Sequence, residues 1–459
     1  MFKKQYITGA FLAVISLFSS CTNLDEEIFS SIPEKDFYKT ESEFLAAMVP
    51  IYSSMRTLTE HSNWWDLEET TDVCVTPVKN HGLWYDGGIY IRLHQHSWME
   101  EDAHLNNIWN ALYSGVSSAN RVLYQFENST IEMNGKENYI AELKVARAFY
   151  YYLLLEAFGN VPIIDRFDVP DGYLPATEPR SKVFEFVESE LKNNINNLSE
   201  DVLNTYGRFN KWNAKMLLAR LYLNAEAWIG TPMYNECENL CNEIIATNKY
   251  RLDGDYSLPF STNNELSNET MFVIPFDETK SGGQIYMWAR KTLHYSQMQT
   301  FNLQATWLDG GCVGVPTFFD NYIEGDKRLE KTWRMGQQYA LDGTPLWTNG
   351  WCGDPQMLLS YTKDVTNISG DATMYQGYRF GKYEIKIGAT GTPDNDYVIM
   401  RYAEVLMMKA ECILRTGGSS QEAAELVNEV RRRNFDTTNE LTGSELELSL
   451  IHISEPTRP

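Results

Sequence analysis

Three stretches of this chain repeat apolar side chains at steps of three and four, the spacing that gathers them on one face of an α-helix. The first runs Leu143, Ala146, Tyr150, Leu153 and Ala157, with Gly159 placed as a C-terminal stop and Pro162 just beyond it. The second runs Ala214, Leu217, Leu221, Ala225 and Trp228. The third runs Tyr402, Val405, Met408 and Cys412 and ends at Gly417-Gly418, after which Ser419 and Glu422 offer a capping box for a helix through Arg432. An apolar stripe of this length is stable only when another element covers it, so the chain is predicted to be mainly α, with helices packed on helices. The same reading predicts helices over Glu41 to Leu58, His104 to Phe126, Ser181 to Leu198 and Tyr234 to Thr247.

Small residues such as Ala146, Ala148, Ala219 and Ala410 are what a tetratricopeptide-like stack of helix pairs requires at its close contacts. The period of about 34 residues that such repeats show is not legible, because insertions interrupt it. The longest, about 251–395, is rich in glycine, aromatic and polar residues and lacks sustained helical periodicity. It is expected to form loops and short strands that make a second lobe over the helices.

The ends constrain the compartment. Lys3 and Lys4 precede an apolar stretch from Ile7 to Phe18, the pattern of a signal peptide and too short to span a bilayer. It leads into Leu17-Phe18-Ser19-Ser20-Cys21, where small residues precede a cysteine as at a lipoprotein processing site, so Cys21 is expected to be the lipidated N-terminus. Residues 1–20 then form the leader, 21–40 an acidic tether containing Asp25, Glu26 and Glu27, and 41–447 one helical-repeat domain with its irregular insertion. Leu448 to Arg458 looks like translated sequencing adapter, so 448–459 is expected to be a non-native tail on a reading frame that continued past about Glu447. The helices from Met400 to Arg433 are accordingly expected to show exposed apolar faces.

A net charge of -23 argues against nucleic acid as a partner, since the only tight basic run, Arg431-Arg432-Arg433, lies within a helical pattern. Cys74, Cys237, Cys241, Cys312, Cys352 and Cys412 are too scattered for a disulfide framework and read as buried small hydrophobes. No metal and no cofactor is expected. His94 and His96, two apart, would share one face of a strand, where a third ligand such as His81 or His104 could complete a metal site; ordinary polar surface is the plainer reading.

Several segments together resemble a known family. Arg147-Ala-Phe-Tyr-Tyr-Tyr-Leu-Leu-Leu-Glu-Ala-Phe-Gly-Asn-Val-Pro162 is similar to the signature helix and turn of SusD/RagB proteins. So are Trp109-Asn-Ala-Leu-Tyr113 with Ala119-Asn120-Arg121, Ala214-Lys-Met-Leu-Leu-Ala-Arg-Leu-Tyr222, Met400-Arg-Tyr-Ala-Glu-Val-Leu-Met-Met-Lys-Ala-Glu411 and Asn428-Glu-Val-Arg431. The family's later Arg-Glu-Leu-like and Gly-x-Arg-x-x-Asp-Leu segments are not found. The resemblance implies a helical glycan-binding lipoprotein on the outer face of the outer membrane, with an oligosaccharide ligand and a SusC-like TonB-dependent transporter as partner.

Aromatic faces cover the C–H faces of sugars while neighbouring polar groups take the hydroxyls. The chain has 12 Trp, 27 Tyr and 21 Phe, and many Trp lie in polar, non-helical company: Trp64, Trp65, Trp84, Trp98, Trp288, Trp307, Trp347 and Trp351. Trp109, Trp212 and Trp228 lie on helical patterns and read as core. The resemblance places the sugar site in the loops before the Trp109 helix and in the long insertion, which points to Trp84, Tyr85, Trp98, Trp288 and Trp307. Nothing resembles a serine-hydrolase elbow, a P-loop or a zinc-protease helix, so no enzyme is expected. Two alternatives stay open: a glycoside hydrolase using the Glu68, Glu69 and Asp72 carboxylates, and a helical-repeat scaffold that binds only proteins.

Overall fold

The computed structural model describes residues 38–446 except 61, 171, 281–286, 305–307, 370, 391–392 and 436–439, and of Met287, Trp288 and Trp351 only the backbone. The leader, Cys21 and the tail from 448 therefore lie outside the described residues.

The helical layer begins with α1 (Glu41–Ser53), whose start is fixed by a full capping box: Thr40 Oγ1 accepts from the Glu43 N–H, and Glu43 Oε2 accepts from the Thr40 N–H at 2.9 Å. A short helix α2 (Ile89–His94) precedes the long pair α3 (Ala103–Asn128) and α4 (Lys136–Phe158). Then follow α5 (Arg180–Asn194), α6 (Lys211–Leu223) and α7 (Tyr234–Ala246). After the irregular lobe, which contains the short helix α8 (Met287–Thr292), α9 (Tyr402–Arg415) and α10 (Ser420–Arg432) complete the layer. Successive helices pack as neighbours, α3 on α4, α4 on α5, α6 on α7 and α9 on both α7 and α10.

The signature residues account for how these pairs lock. Gly115 of α3 lets the Tyr150 ring of α4 approach so closely that a Cβ there would fall 2.3 Å from it, and the Tyr150 hydroxyl donates to Ile51 O of α1 at 2.6 Å. Buried Arg147 donates to Asn120 Oδ1 at 2.7 Å and to Glu190 Oε2 at 2.6 Å, tying α4 to α3 and α5. Arg220 donates to both carboxylate oxygens of Glu404, at 2.5 and 2.6 Å, tying α6 to α9.

Three expectations need correction. The stripe from Ala214 to Trp228 is not one helix: the chain turns at Asn224, whose side chain donates to Arg220 O at 2.8 Å, and a separate short helix Ala225–Ile229 carries Trp228. His94 ends α2 and His96 stands in the turn beyond it at φ +54°, so the two share no strand face. The apolar faces of α9 and α10 are covered, with Leu446 and Leu441 packed against Ala410, Ile413, Ala423 and Ala424.

The lobe is made of two-residue strands, 3₁₀ turns and short helices. One longer ladder, Thr270–Ile274 antiparallel to Tyr397–Arg401, joins it to the helices, pairing Met400 with Phe272 and Arg401 with Thr270. Residues before α3 also belong to it: Cys74–Val75 pairs antiparallel with Val313–Gly314, and Val78–Lys79 pairs parallel with Asp371–Ala372.

Candidate functional site

The loop after Val78–Lys79 is unusually tight. Asn80, His81, Trp84 and Asp86 all take positive φ, between +38° and +63°. Asn, Asp and His tolerate that region; a tryptophan there is strained unless its surroundings hold it. Here they do. The Trp84 indole N–H donates to Asp309 O at 3.1 Å, its ring lies against the backbone of Gly311, and Tyr90 meets it edge-on at 5.7 Å between centroids. Asn80 reaches across to Cys352 O at 2.8 Å and Asp354 Oδ1 at 2.9 Å, and the His81 N–H donates to Asp371 Oδ1 at 2.7 Å.

Beneath Trp84 lies a buried charge network that fixes α8. The Lys291 ammonium donates to Asp66 Oδ1 at 2.7 Å and to Glu69 Oε1, under the Tyr90 ring at 4.2 Å from its centroid. His104 Nε2 contacts the other oxygen of Asp66 at 2.9 Å, and Thr76 Oγ1 donates to Glu69 at 2.8 Å. Burial raises the Glu69 carboxyl despite Lys291, while Lys291 and His104 together overcome the same burial at Asp66 and hold its carboxyl low.

Tyr85 and Trp98 stand out from this base, 54% and 44% exposed. They lie at the two ends of one module, closed by Arg92, which donates to Asp102 Oδ2 at 3.1 Å and to Gly87 O at 2.8 Å. Trp98 rests beside His96 at 5.7 Å, and His96 Nε2 is 2.6 Å from Thr70 O. Of the five rings singled out in the sequence, these two are exposed and Trp84 is half-buried. Trp288 is in α8 with its side chain undescribed, and Trp307 lies outside the described residues. The backbone flanking both is nonetheless drawn to the Trp84 loop, since Asp309 accepts from Trp84 and its side chain from Arg290 Nε at 2.9 Å.

Sequence reasoning did not select a second exposed group in the lobe. Trp347 is 47% exposed, and its carbonyl accepts from Ser296 Oγ at 2.7 Å, beside exposed Tyr295. Tyr339, also exposed, flanks a turn at Asp342-Gly343, where Gly343 has φ +85°. The Asp-Gly pair was the available signal, since it predicts a turn and an exposed tip. Conversely, Trp65 is buried and Trp64 packs on the core, so polar company in sequence did not mean exposure. The acidic cluster is also split: Glu69 is paired inside, Asp72 is exposed on a turn, and Glu68 faces an internal recess.

Comparison with known proteins follows the same outline. A family model described as starch-binding associating with outer membrane matches residues 25–223, and the SusD family model matches 242–451. The starch-binding protein SusD of Bacteroides thetaiotaomicron is 24% identical over 83% of this chain and 72% of its own length. A SusD-like protein of Bacteroides ovatus is 27% identical over 91% and 74%. Among solved structures, a SusD superfamily protein from Parabacteroides distasonis superposes with a TM-score of 0.70 at 20% identity, covering 90% of this chain and 85% of that one. Surface glycan-binding protein A of Bacteroides thetaiotaomicron, solved with laminarihexaose, gives 0.66 at 20% identity over 88% and 84%.

Proposed function

This chain belongs to the SusD/RagB family, and on that premise we propose that it is a surface-exposed lipoprotein, anchored through Cys21, that captures oligosaccharides for a SusC-like TonB-dependent transporter. It is a carbohydrate-binding protein and not an enzyme. The observation that carries the reading is the exposed pair Tyr85 and Trp98 on one braced module, with Trp84 pinned at its base. Stacking on a sugar asks for rings that are open to solvent yet rigid, because a ring already ordered loses little entropy on binding. The proposed site keeps Trp288 and Trp307 as the sequence reading has them, and we add the exposed Trp347 and Tyr295 to it. The laminarihexaose bound by the glycan-binding neighbour is the kind of ligand such a face suits.

Incubating the purified full chain with an oligosaccharide library tests both halves of the reading. At least one oligosaccharide should be retained, and every one should be recovered intact. Shortened products that disappear in Glu68→Gln would instead mean a glycoside hydrolase. In cells, Cys21→Ala should move the protein from the membrane fraction to the soluble one; unchanged membrane association would refute the anchor.

A further inference from the structure

The helical layer and the lobe leave a recess of about 260 Å³ between them, walled by Trp65, Phe260, Trp333 and Tyr397 among others. Four charged side chains open onto it: Glu68, Lys382, Arg401 and Glu404. Two of them have protein counter-ions, Arg401 with Glu269 at 2.6 Å and Glu404 with Arg220. The other two have only each other: among the described residues Glu68 and Lys382 form no direct ion pair, but each feels the other's charge across the recess, and the Lys382 ammonium lies 4.2 Å from the Phe260 ring centroid and 5.7 Å from that of Tyr256. Glu68 is exposed, but into this recess, so protein surrounds it; burial raises its carboxyl and lowers the Lys382 ammonium, each toward its neutral form.

The recess thus offers an acceptor on one wall and a donor on another, with aromatic faces between them. A cationic ligand would satisfy Glu68 and be repelled by Lys382, and an anion would meet the reverse conflict. A neutral polyol satisfies both, donating a hydroxyl to Glu68 and accepting from Lys382, while a ring covers its C–H face. The volume lies below the roughly 300–1,000 Å³ of pockets for drug-sized ligands, which limits the occupant to about one ring. We propose that this recess is a second, enclosed sugar site that takes a single pyranose-sized neutral polyol. The assignment stands on the lining alone and is separate from the exposed face: Trp65 lines the recess, Trp84 belongs to the face, and Lys291 lies 5.5 and 6.0 Å from their respective ring centroids.

Saturation-transfer NMR on the full chain with glucose, galactose, mannose and N-acetylglucosamine tests the site. At least one monosaccharide should show transfer, and Lys382→Met and Glu68→Gln should each weaken it by about tenfold, the worth of one hydrogen bond to a charged group. Val398→Trp fills the recess without removing a charge, and should abolish the signal in a protein whose thermal melt shows it folded. In the Tyr85→Ala/Trp98→Ala background, which removes the exposed face, a signal should persist and should still be lost on adding Val398→Trp. The proposal is overturned if no monosaccharide shows transfer, if Val398→Trp retains it, if the face variant alone removes it, or if glycine, a zwitterion, competes for the site. Failure of oligosaccharides to bind the exposed face would leave these outcomes unaffected.

Discussion

The helical layer and the lobe hold themselves together by different means. Between α3 and α4 the interior is mainly apolar, with Ile108, Leu112, Leu143, Phe149 and Leu154 buried alongside the Arg147–Asn120 tie, because each helix satisfies its own backbone hydrogen bonds and most of what has to be matched is side-chain volume. In the lobe, two-residue strands leave many N–H and C=O groups without ladder partners, and buried polar side chains supply them. Lys79, fully buried, donates to Gly310 O at 2.7 Å, and Arg379, equally buried, donates to Gly310 O and Cys312 O at 3.1 and 3.2 Å. Asn264 donates to Pro259 O and Asp396 O at 2.9 and 2.8 Å. The layer should therefore be sensitive to volume and tolerant of volume-conserving change, whereas the lobe, which carries the aromatic face, should be sensitive to the loss of a single polar group.

The sharpest way to break this contrast is at Lys291. Lys291→Met removes the ammonium that buried Asp66 and Glu69 share, leaving Glu69 with no cation and Asp66 with His104 alone, and should cost about 3–5 kcal/mol in urea unfolding. Leu154→Met in α4 should cost less than about 1.5 kcal/mol. Equal losses at the two positions would erase the distinction.

A smaller effect comes from Asp396, which accepts from the Phe276 N–H at 2.8 Å and the Tyr206 hydroxyl at 2.5 Å. Burial pushes its carboxyl from 3.8 up to about 6. A folded-state value above the unfolded one means that the linked stability is complete below about 3.8 and is lost as pH rises through about 6. The displacement corresponds to at most about 3 kcal/mol. Urea midpoints should therefore decline from pH 4.5 to 7.5, and Asp396→Asn should flatten part of that decline; identical pH slopes for wild type and variant would remove Asp396 from the account.

What was legible in the sequence follows the same division. Helix stripes are local, so α4 and α9 could be read from Leu143, Ala146 and Tyr150 or from Tyr402, Val405 and Met408, with Gly159 and Ser419 marking ends that the structure keeps. Where local competition was subtle, as at Asn224, the reading ran two helices together. The lobe's determinants are non-local. Nothing near Lys291 shows that its partners are Asp66 and Glu69, more than two hundred residues earlier, and an unpaired lysine reads as surface. The same blindness applies to rings: Trp65 and Tyr85 both lie in polar company, yet one is core and the other exposed. Burial depends on which distant segment folds over the ring.

The contrast between braced and exposed rings also carries the smallest predicted change in stability and the most direct test of function. Tyr85 and Trp98 project from the lobe, whereas Trp84 is bonded to Asp309 and packed on Gly311. Calorimetric titration of Tyr85→Ala/Trp98→Ala with the best ligand from the oligosaccharide screen, alongside its thermal melt, separates binding from folding. The account predicts that affinity falls by about 1–3 kcal/mol per ring, as for other aromatic anchors, while stability stays within about 0.5 kcal/mol of wild type. Unchanged affinity, or a melting temperature that falls in step with it, would mean that these rings serve the fold and that the glycan face lies elsewhere.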